Sequence, residues 1–272
     1  MRIAASVEYD GTHFNGWQSQ PDGRTVQDVL EKALGAVADA RIATVCAGRT
    51  DAGVHAVSQV VHFDTSASRS IRSWVLGTNS ALPEDIAVRW VQPMSDDFHA
   101  RFSAVSRSYR YVILNRGCRS ALLRHRACFS PRPLDESVME SAGRALLGTH
   151  DFSAFRAASC QAHSPSRAVH ALSVRRHGDF VVIDISANAF LQNMVRIVAG
   201  VLMRVGRLEE PAQWVEDILM ARDRRHLGIT APPGGLYLTG VEYAPGFGIP
   251  QPDLKTSPVL PDLAGIKTGL SL

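Results

Sequence analysis

Residues 46–56 read Cys-Ala-Gly-Arg-Thr-Asp-Ala-Gly-Val-His-Ala and form a polar segment between two apolar stretches that each predict a strand. Gly48 and Gly53 allow unusual backbone angles and the close approach of a ligand. The only acid in the segment, Asp51, is therefore a candidate catalytic residue, although an aspartate in a loop is more often a turn or cap residue. We assign no catalytic role to His55, because histidines in loops are often structural.

The rest of the chain alternates short strand patterns with a few helix patterns, which predicts an α+β fold with antiparallel strands. We predict strands at 2–9, 44–47, 58–64, 86–90, 108–114, 168–176, 180–187 and 236–241, and helices at 26–37, 71–79, 136–147, 190–205 and 211–221. Residues 1–101 and 102–245 each form one such mixed unit. The proline-rich segment 246–272 is predicted to be an extension without a core.

Basic residues are unevenly distributed, although the net charge of the whole chain is only +3. Residues 101–210 hold 16 basic and 8 acidic side chains, and residues 101–134 hold eight arginines and no acid. Arginine forms paired hydrogen bonds with phosphate and displaces counterions when it binds a polyanion. The distribution favours a nucleic-acid partner over a solvated basic face without a partner.

The cysteines and the apolar runs argue against several other classes of protein. Cys46, Cys118, Cys128 and Cys160 form no Cys-x-x-Cys pair, so we expect reduced thiols and no zinc site. No apolar run approaches the ~20 residues of a membrane span, and the first residues lack the apolar stretch of a signal peptide. We therefore expect a cytoplasmic protein that does not enter a membrane.

The segment at residues 46–56 resembles the signature of the tRNA pseudouridine synthase A family, in which the central aspartate is catalytic. Further segments resemble the same family in the same order: Glu8-Tyr9-Asp10-Gly11 with Gly16-Trp17-Gln18, Phe98-His99-Ala100-Arg101-Phe102-Ser103-Ala104, Tyr109-Arg110-Tyr111, Gly148-Thr149-His150-Asp151-Phe152, Asn188-Ala189-Phe190-Leu191-Gln192-Asn193-Met194-Val195-Arg196, and Thr230-Ala231-Pro232 with Gly235-Leu236. The ordered set, over residues 2–243, is far more specific than one loop. One departure is His226-Leu227 before Gly228, where small residues are expected.

This resemblance implies a fold, a reaction and partners. The implied fold has two related α/β subdomains whose mainly antiparallel sheets join into one extended sheet, with helices packed outside. The implied reaction converts uridine to pseudouridine at positions 38, 39 and 40 in the anticodon arm of tRNA. It uses no cofactor and no metal, and members of the family act as homodimers.

The resemblance also implies roles for individual side chains. Asp51 would be the catalytic carboxylate and Arg196 its cationic partner, since a buried carboxylate otherwise gains a proton and a buried arginine needs a partner. Tyr109 would stack on the target uracil, and Leu236 would wall the base pocket. From its position two residues before Asp51, Arg49 would flip or replace the target base or bind phosphate, and the alternative is a salt bridge within the loop. Whether Asp51 attacks C1′ of the sugar, attacks C6 of uracil or acts as a base is left open.

Three rival interpretations remain at the level of sequence. A non-catalytic RNA-binding module would explain the arginines, but an acid in an RNA-contacting loop repels phosphate. A metal-dependent nuclease or phosphatase normally needs clustered carboxylates, whereas residues 46–56 hold one acid and Asp10 is distant in sequence. A pseudouridine synthase with another target is the third alternative.

Overall fold

The computed structural model describes residues 1–21, 23–223 and 229–251, and within them a ten-stranded sheet forms the centre of the molecule. The strands are β1 (Arg2–Tyr9), β2 (Val45–Cys46), β3 (His55–Asp64), β4 (Ile86–Met94), β5 (Ala104–Asn115), β6 (Cys128–Ser130), β7 (Gly148–Asp151), β8 (Ser166–His177), β9 (Phe180–Ala187) and β10 (Leu236–Tyr243). The α-helices of the same residues are α1 (Val26–Ala38), α2 (Ile71–Ala81), α3 (Glu136–Gly143), α4 (Met194–Gly206) and α5 (Trp214–Ala221).

The strand order is β4-β1-β3-β10-β5-β9-β8-β7, with β2 paired to β3 and β6 paired to β5. Neighbouring strands along this path are antiparallel except β3 and β10, which run parallel where Tyr237 faces His55 and Leu238 faces Ala56. The starts of β3 and β10 therefore lie side by side in the middle of the sheet. The predicted α+β class and the single extended, mostly antiparallel sheet are confirmed.

Local sequence explains where α1 begins and ends. Thr25 has an extended backbone, and its hydroxyl accepts a hydrogen bond from the backbone N–H of Asp28, which caps the first turn. Val26, Leu30 and Leu34 follow at helical spacing and are buried. The helix ends at Asp39, which adopts the left-handed conformation (φ 55°).

Several boundaries differ from the sequence-based prediction by three or four residues, and two of them lie beside the Asp51 segment or the helix that carries Arg196. The predicted helix at 190–205 begins only at Met194, because Asn193 adopts the left-handed conformation (φ 62°) and so interrupts the helical backbone before it. β3 begins at His55 rather than at residue 58, because His55 and Ala56 already pair with β10. The pairing of β10 with β5 shifts register between Leu238 and Gly240.

The four cysteines are free, and none of the helices in the described ranges has the length and apolar character that a bilayer crossing requires. The first part of the predicted tail is ordered against the core, since Phe247 packs on Phe98 with ring centroids 5.2 Å apart. Residues 252–272 of that tail lie outside the described residues, as does the segment at 226–228 that departs from the family pattern.

Candidate active site

The loop that contains Asp51, residues 47–54 (the Asp51 loop), connects β2 to β3 and is held at its start by a buried glutamine. Gln59 on β3 is fully buried, and its side-chain amide donates to the carbonyl of Gly48 (2.6 Å). The backbone N–H of Gly48 donates in return to the side-chain oxygen of Gln59 (3.4 Å). Both backbone groups of Gly48 are thus paired inside the protein, which fixes the start of the loop.

The middle of the Asp51 loop rests on the N-terminal segment. The backbone N–H of Trp17 donates to the carbonyl of Thr50 (3.0 Å), and the hydroxyls of Tyr9 and Thr50 are hydrogen-bonded at 2.9 Å. A Cβ atom on Gly16, which has φ +90°, would stand 2.7 Å from the Thr50 carbonyl oxygen. Only glycine fits this approach, because any side chain would meet the backbone of the loop.

Asp51 faces a guanidinium group that comes from the other half of the chain. Its Oδ2 lies 3.4 Å from Nη1 of Arg196, and the two side chains are 27% and 16% exposed. Burial raises the pKa of Asp51 above its usual value, and the charge and hydrogen bond of Arg196 oppose that rise. Arg196 therefore holds a desolvated carboxylate closer to the ionised state that acid–base or nucleophilic chemistry requires.

Arg196 is itself fixed by hydrogen bonds on two sides. Its Nε donates to the carbonyl of Ala231 (2.8 Å), and its Nη1 donates to the side-chain oxygen of Asn193 (3.1 Å). The backbone N–H of Ala231 donates back to the carbonyl of Arg196 (3.0 Å). The guanidinium plane is thereby oriented toward Asp51, as the predicted pairing requires.

Tyr109 lies next to the Asp51 loop on β5. Its ring is 7% exposed and packs edge-on against Phe190, with centroids 5.0 Å apart. A Cβ atom on Gly48 would stand 3.7 Å from its hydroxyl oxygen. Burial raises the pKa of Tyr109 and the nearby Asp51 charge raises it further, so the phenol is neutral at physiological pH.

The two remaining predicted residues take different positions. Leu236 opens β10 and faces Tyr111 across the β5 pairing, so it lies on the same side of the sheet as Tyr109. It is 5% exposed. Arg49 is exposed and forms no hydrogen bond or ion pair with any residue in the described ranges. No residue in those ranges therefore holds its guanidinium in place.

Arg107 on β5 is a buried arginine that the sequence analysis did not single out. It is 8% exposed and donates hydrogen bonds to the carbonyl oxygens of Ala47, Arg101, Ala104 and Asn188. No carboxylate among the described residues pairs with it. Its position two residues before Tyr109, on the same face of the strand, was a sequence signal that could have indicated a role beside the site.

His55, to which the sequence analysis assigned no catalytic role, is held by contacts that are structural. It is 3% exposed, its ring stacks on Tyr237 (4.7 Å between centroids), and its Nε2 donates to the carbonyl of His125 (2.7 Å). Its Nδ1 faces both the N–H of Gly11 (3.0 Å) and Oδ1 of Asp10 (3.1 Å). The ring thus joins the end of the Asp51 loop to the segment before β6.

The described residues contain no group of three or more His, Cys, Asp or Glu side chains placed to hold a metal ion. Asp51 is paired with a guanidinium, and no second carboxylate joins this pair. The clustered carboxylates that a metal-dependent nuclease or phosphatase would use are not found among those residues.

Comparison with known proteins shows which family this chain is similar to. A family profile described as tRNA pseudouridine synthase matches residues 5–103 and 142–244. The tRNA pseudouridine synthase A of Nitrosococcus oceani is 55% identical over 251 residues, which cover 92% of this chain and 97% of that protein. The proteins of the same name from Legionella pneumophila strain Lens (53% identical, 92% and 96% covered) and Alcanivorax borkumensis (52% identical, 93% and 95% covered) are also similar. Among solved structures, a chain of a Cbf5-Nop10-Gar1 complex matches at 12% identity with a TM-score of 0.32, over 87% of this chain and 58% of that one.

Proposed function

The chain belongs to the tRNA pseudouridine synthase family, and on that premise we propose that it isomerises uridine to pseudouridine in tRNA with Asp51 as the reacting carboxylate. The observation that carries the assignment of Asp51 is its pairing with Arg196 at 3.4 Å in a half-buried loop. This carboxylate has a fixed cationic partner, and a buried tyrosine and an exposed arginine belong to the same region. Such a set of side chains suits an uncharged base that is held near phosphates.

The reaction needs no redox partner because atoms and electrons balance within the nucleotide and water. The bond between N1 of uracil and C1′ of the sugar breaks, the uracil turns, and a bond between C5 and C1′ forms. The proton on C5 leaves and N1 gains one. Asp51 serves by attack on C1′, by attack on C6, or as a base at the sugar, and each route requires its ionised form.

Neighbouring side chains supply binding and orientation in this proposal. Tyr109 stacks on the target uracil, for which a neutral phenol held by Phe190 is suited. Leu236 forms an apolar wall of the same pocket. Arg49, which is exposed and unpaired within the described ranges, takes the place of the flipped base or binds a phosphate.

The target and the assembly are also proposals. We infer that the protein acts on positions 38, 39 and 40 of the anticodon arm, as a homodimer in the cytoplasm. The exposed arginines in residues 101–178 support recognition of RNA shape through phosphates. The division into subdomains at residues 1–101 and 102–245 is supported by the sheet, since β1 to β4 lie on one side of the β3–β10 contact.

Tritium release tests the reaction directly. A tRNA transcript with [5-³H]uridine should lose tritium to water with the wild-type protein in the presence of EDTA, and Asp51→Ala and Asp51→Asn should release none. Asp51→Asn is the matched control, since it keeps the size of the side chain and removes the charge. Tight tRNA binding without release by the wild type would favour an RNA-binding module instead.

Transcripts that keep a single uridine, placed at position 38, 39 or 40 or elsewhere, test the target. Release from uridines outside the anticodon arm alone would assign the protein to another specificity. Sedimentation of the free protein and of its tRNA complex tests the homodimer.

A further inference from the structure

The turn at residues 99–103, which precedes β5 (the Phe102 turn), presents an aromatic ring to solvent. The ring of Phe102 is 75% exposed. One of its neighbours is the ring of His99, stacked at 4.3 Å between centroids with an interplanar angle of 27°, and another is the guanidinium of Arg101, 5.5 Å from the Phe102 centroid. The ring is therefore held in a defined orientation although most of its surface is open.

Hydrogen bonds make the Phe102 turn rigid. The backbone N–H groups of Arg101 and Phe102 both donate to Nδ1 of His99 (3.2 and 3.1 Å). The backbone N–H of Ser103 donates to the carbonyl of His99 (2.9 Å), and the N–H of His99 donates to the Ser103 hydroxyl (3.0 Å). Partial burial lowers the pKa of His99, in agreement with an unprotonated Nδ1. A neutral, flat imidazole thus supports the exposed ring.

Arg107 connects the Phe102 turn to the Asp51 loop. Its Nη2 donates to the carbonyl oxygens of both Arg101 and Ala47, and Ala47 is the first residue of the Asp51 loop. Arg107 shares its face of β5 with Tyr109, because alternate residues of a strand point to the same side. The Phe102 turn therefore lies beside the candidate active site, on the same side of the sheet.

The charge around the ring favours a polyanion. Arg101 and Arg49 are exposed, and neither pairs with a carboxylate among the described residues. Both lie close enough to Cys46 to lower its pKa, although burial raises the pKa of that thiol overall, to about 12. Arg101, whose guanidinium lies against the Phe102 ring, and Arg49, on the Asp51 loop, can bind phosphates of RNA. The exposed ring can stack on a base.

We propose that Phe102 stacks on an unpaired base of the tRNA next to the target uridine, with Arg101 on a neighbouring phosphate. The inference rests on the proposed function, since it takes the substrate of that reaction as the ligand. A base taken out of its stack leaves neighbours that have lost a stacking partner, and a rigid aromatic ring beside the pocket can replace that partner. Stacking tolerates any base, so Phe102 contributes affinity and alignment rather than sequence specificity.

Equilibrium binding of a tRNA transcript to Phe102→Ala, Phe102→Tyr and Leu76→Ala tests the proposal. Loss of one stacked base should raise the Kd of Phe102→Ala by about 5- to 150-fold, while Phe102→Tyr keeps the aromatic face and binds like the wild type. Leu76 is 51% exposed on α2 and serves as the matched control, for which no change is expected. A wild-type Kd for Phe102→Ala would overturn the proposal.

The salt dependence of binding separates stacking from phosphate contact. Phe102→Ala should keep the wild-type slope of log Kd against log salt concentration, whereas Arg101→Ala should reduce the slope by about 0.7 to 0.9. A reduced slope in Phe102→Ala would mean that the substitution disturbs phosphate contacts and would overturn the stacking role.

Sedimentation without RNA tests the rival partner, a second copy of this chain. Phe102→Ala should sediment like the wild type, and a lighter species would show that the ring covers a subunit interface instead. Tritium release by the wild type is measured in parallel. If release occurs and the Kd of Phe102→Ala is unchanged, the proposed function stands and this inference fails. If no release occurs, the proposed function fails, and the Kd comparison still shows whether Phe102 binds RNA.

Discussion

Replacing Arg196 with methionine removes the cation that faces Asp51 while keeping an unbranched side chain in α4. An opposite charge within this distance lowers a carboxyl pKa by roughly 1–3 pH units. The Asp51–Arg196 contact of 3.4 Å is longer than a strong charge-assisted bond, and the Asp51 side chain is 27% exposed to water, which screens the pair. We therefore expect a shift of the Asp51 pKa in the lower part of that range.

The direction of the change in rate follows from the protonation state in which Asp51 reacts. In the proposed reaction Asp51 must be ionised. Burial already raises its pKa, so loss of Arg196 raises the pKa further. The acidic limb of the pH–rate profile should move to higher pH by that amount. At a pH below both pKa values, the rate should fall by about 10- to 100-fold relative to the wild type, and the difference should shrink as the pH rises.

Single-turnover tritium release across a pH series is the appropriate assay, because it reports the chemical steps without product release. Arg196 also donates to the carbonyl of Ala231, and loss of that bond lowers the rate equally at every pH. The shift of the acidic limb therefore reports the effect of the Arg196 charge on Asp51 separately from the loss of this hydrogen bond. Arg196→Lys keeps a cation and should shift the limb less. If the pH–rate profile of Arg196→Met had the wild-type midpoint, the conclusion that Arg196 controls the pKa of Asp51 would be refuted.

Other perturbations of the same site have distinct outcomes. Tyr109→Phe should keep tRNA affinity and impair turnover. If this variant had wild-type turnover, the Tyr109 hydroxyl would have no part in the mechanism. Gly16→Ala should lower the free energy of unfolding by about 1–3 kcal/mol in urea denaturation, because φ is +90° and the new Cβ meets the carbonyl of Thr50. Gly117→Ala is the control, because no atom lies within 4 Å of the new Cβ, and it should leave the free energy of unfolding unchanged. If both substitutions changed this free energy equally, the explanation from backbone angle and close contact at Gly16 would be contradicted. Gln59→Leu should lower the free energy of unfolding by about 1–3 kcal/mol for each backbone group of the Asp51 loop that loses its partner, measured in the same way. Unchanged stability would show that water replaces the side-chain amide of Gln59.

The sequence was sufficient for features that depend on local patterns. The apolar periodicity and the Thr25 cap located α1, and the Gly-flanked acid located the Asp51 loop. The start of α4 was predicted too early, because the apolar run from residue 190 continues through Asn193. A left-handed asparagine has no signature in hydrophobic periodicity.

The site depends on contacts between distant segments that no local pattern encodes. Resemblance supplied the Asp51–Arg196 pairing, whose members are 145 residues apart in sequence. Gln59 and Arg107 were missed because their partners are backbone carbonyls and amides of other loops, and any residue type carries these groups. A buried polar residue in an apolar strand was the available signal, but it does not say which loop it holds.

β10 is inserted between β3 and β5, although it is the last strand to leave the ribosome among the described residues. Until residues 236–243 have been synthesised, β3 and β5 lack the strand that joins them, and only the short strands β2 and β6 can pair with the edges that β10 later covers. Long-range pairing of this kind is slow to form and must wait for nearly the whole chain. Asp51 is translated early but Leu236 arrives late, so a partly made chain lacks the residue that we propose as a wall of the pocket. The order of translation therefore sets when the two halves of the sheet can join, since β10 is the strand between them.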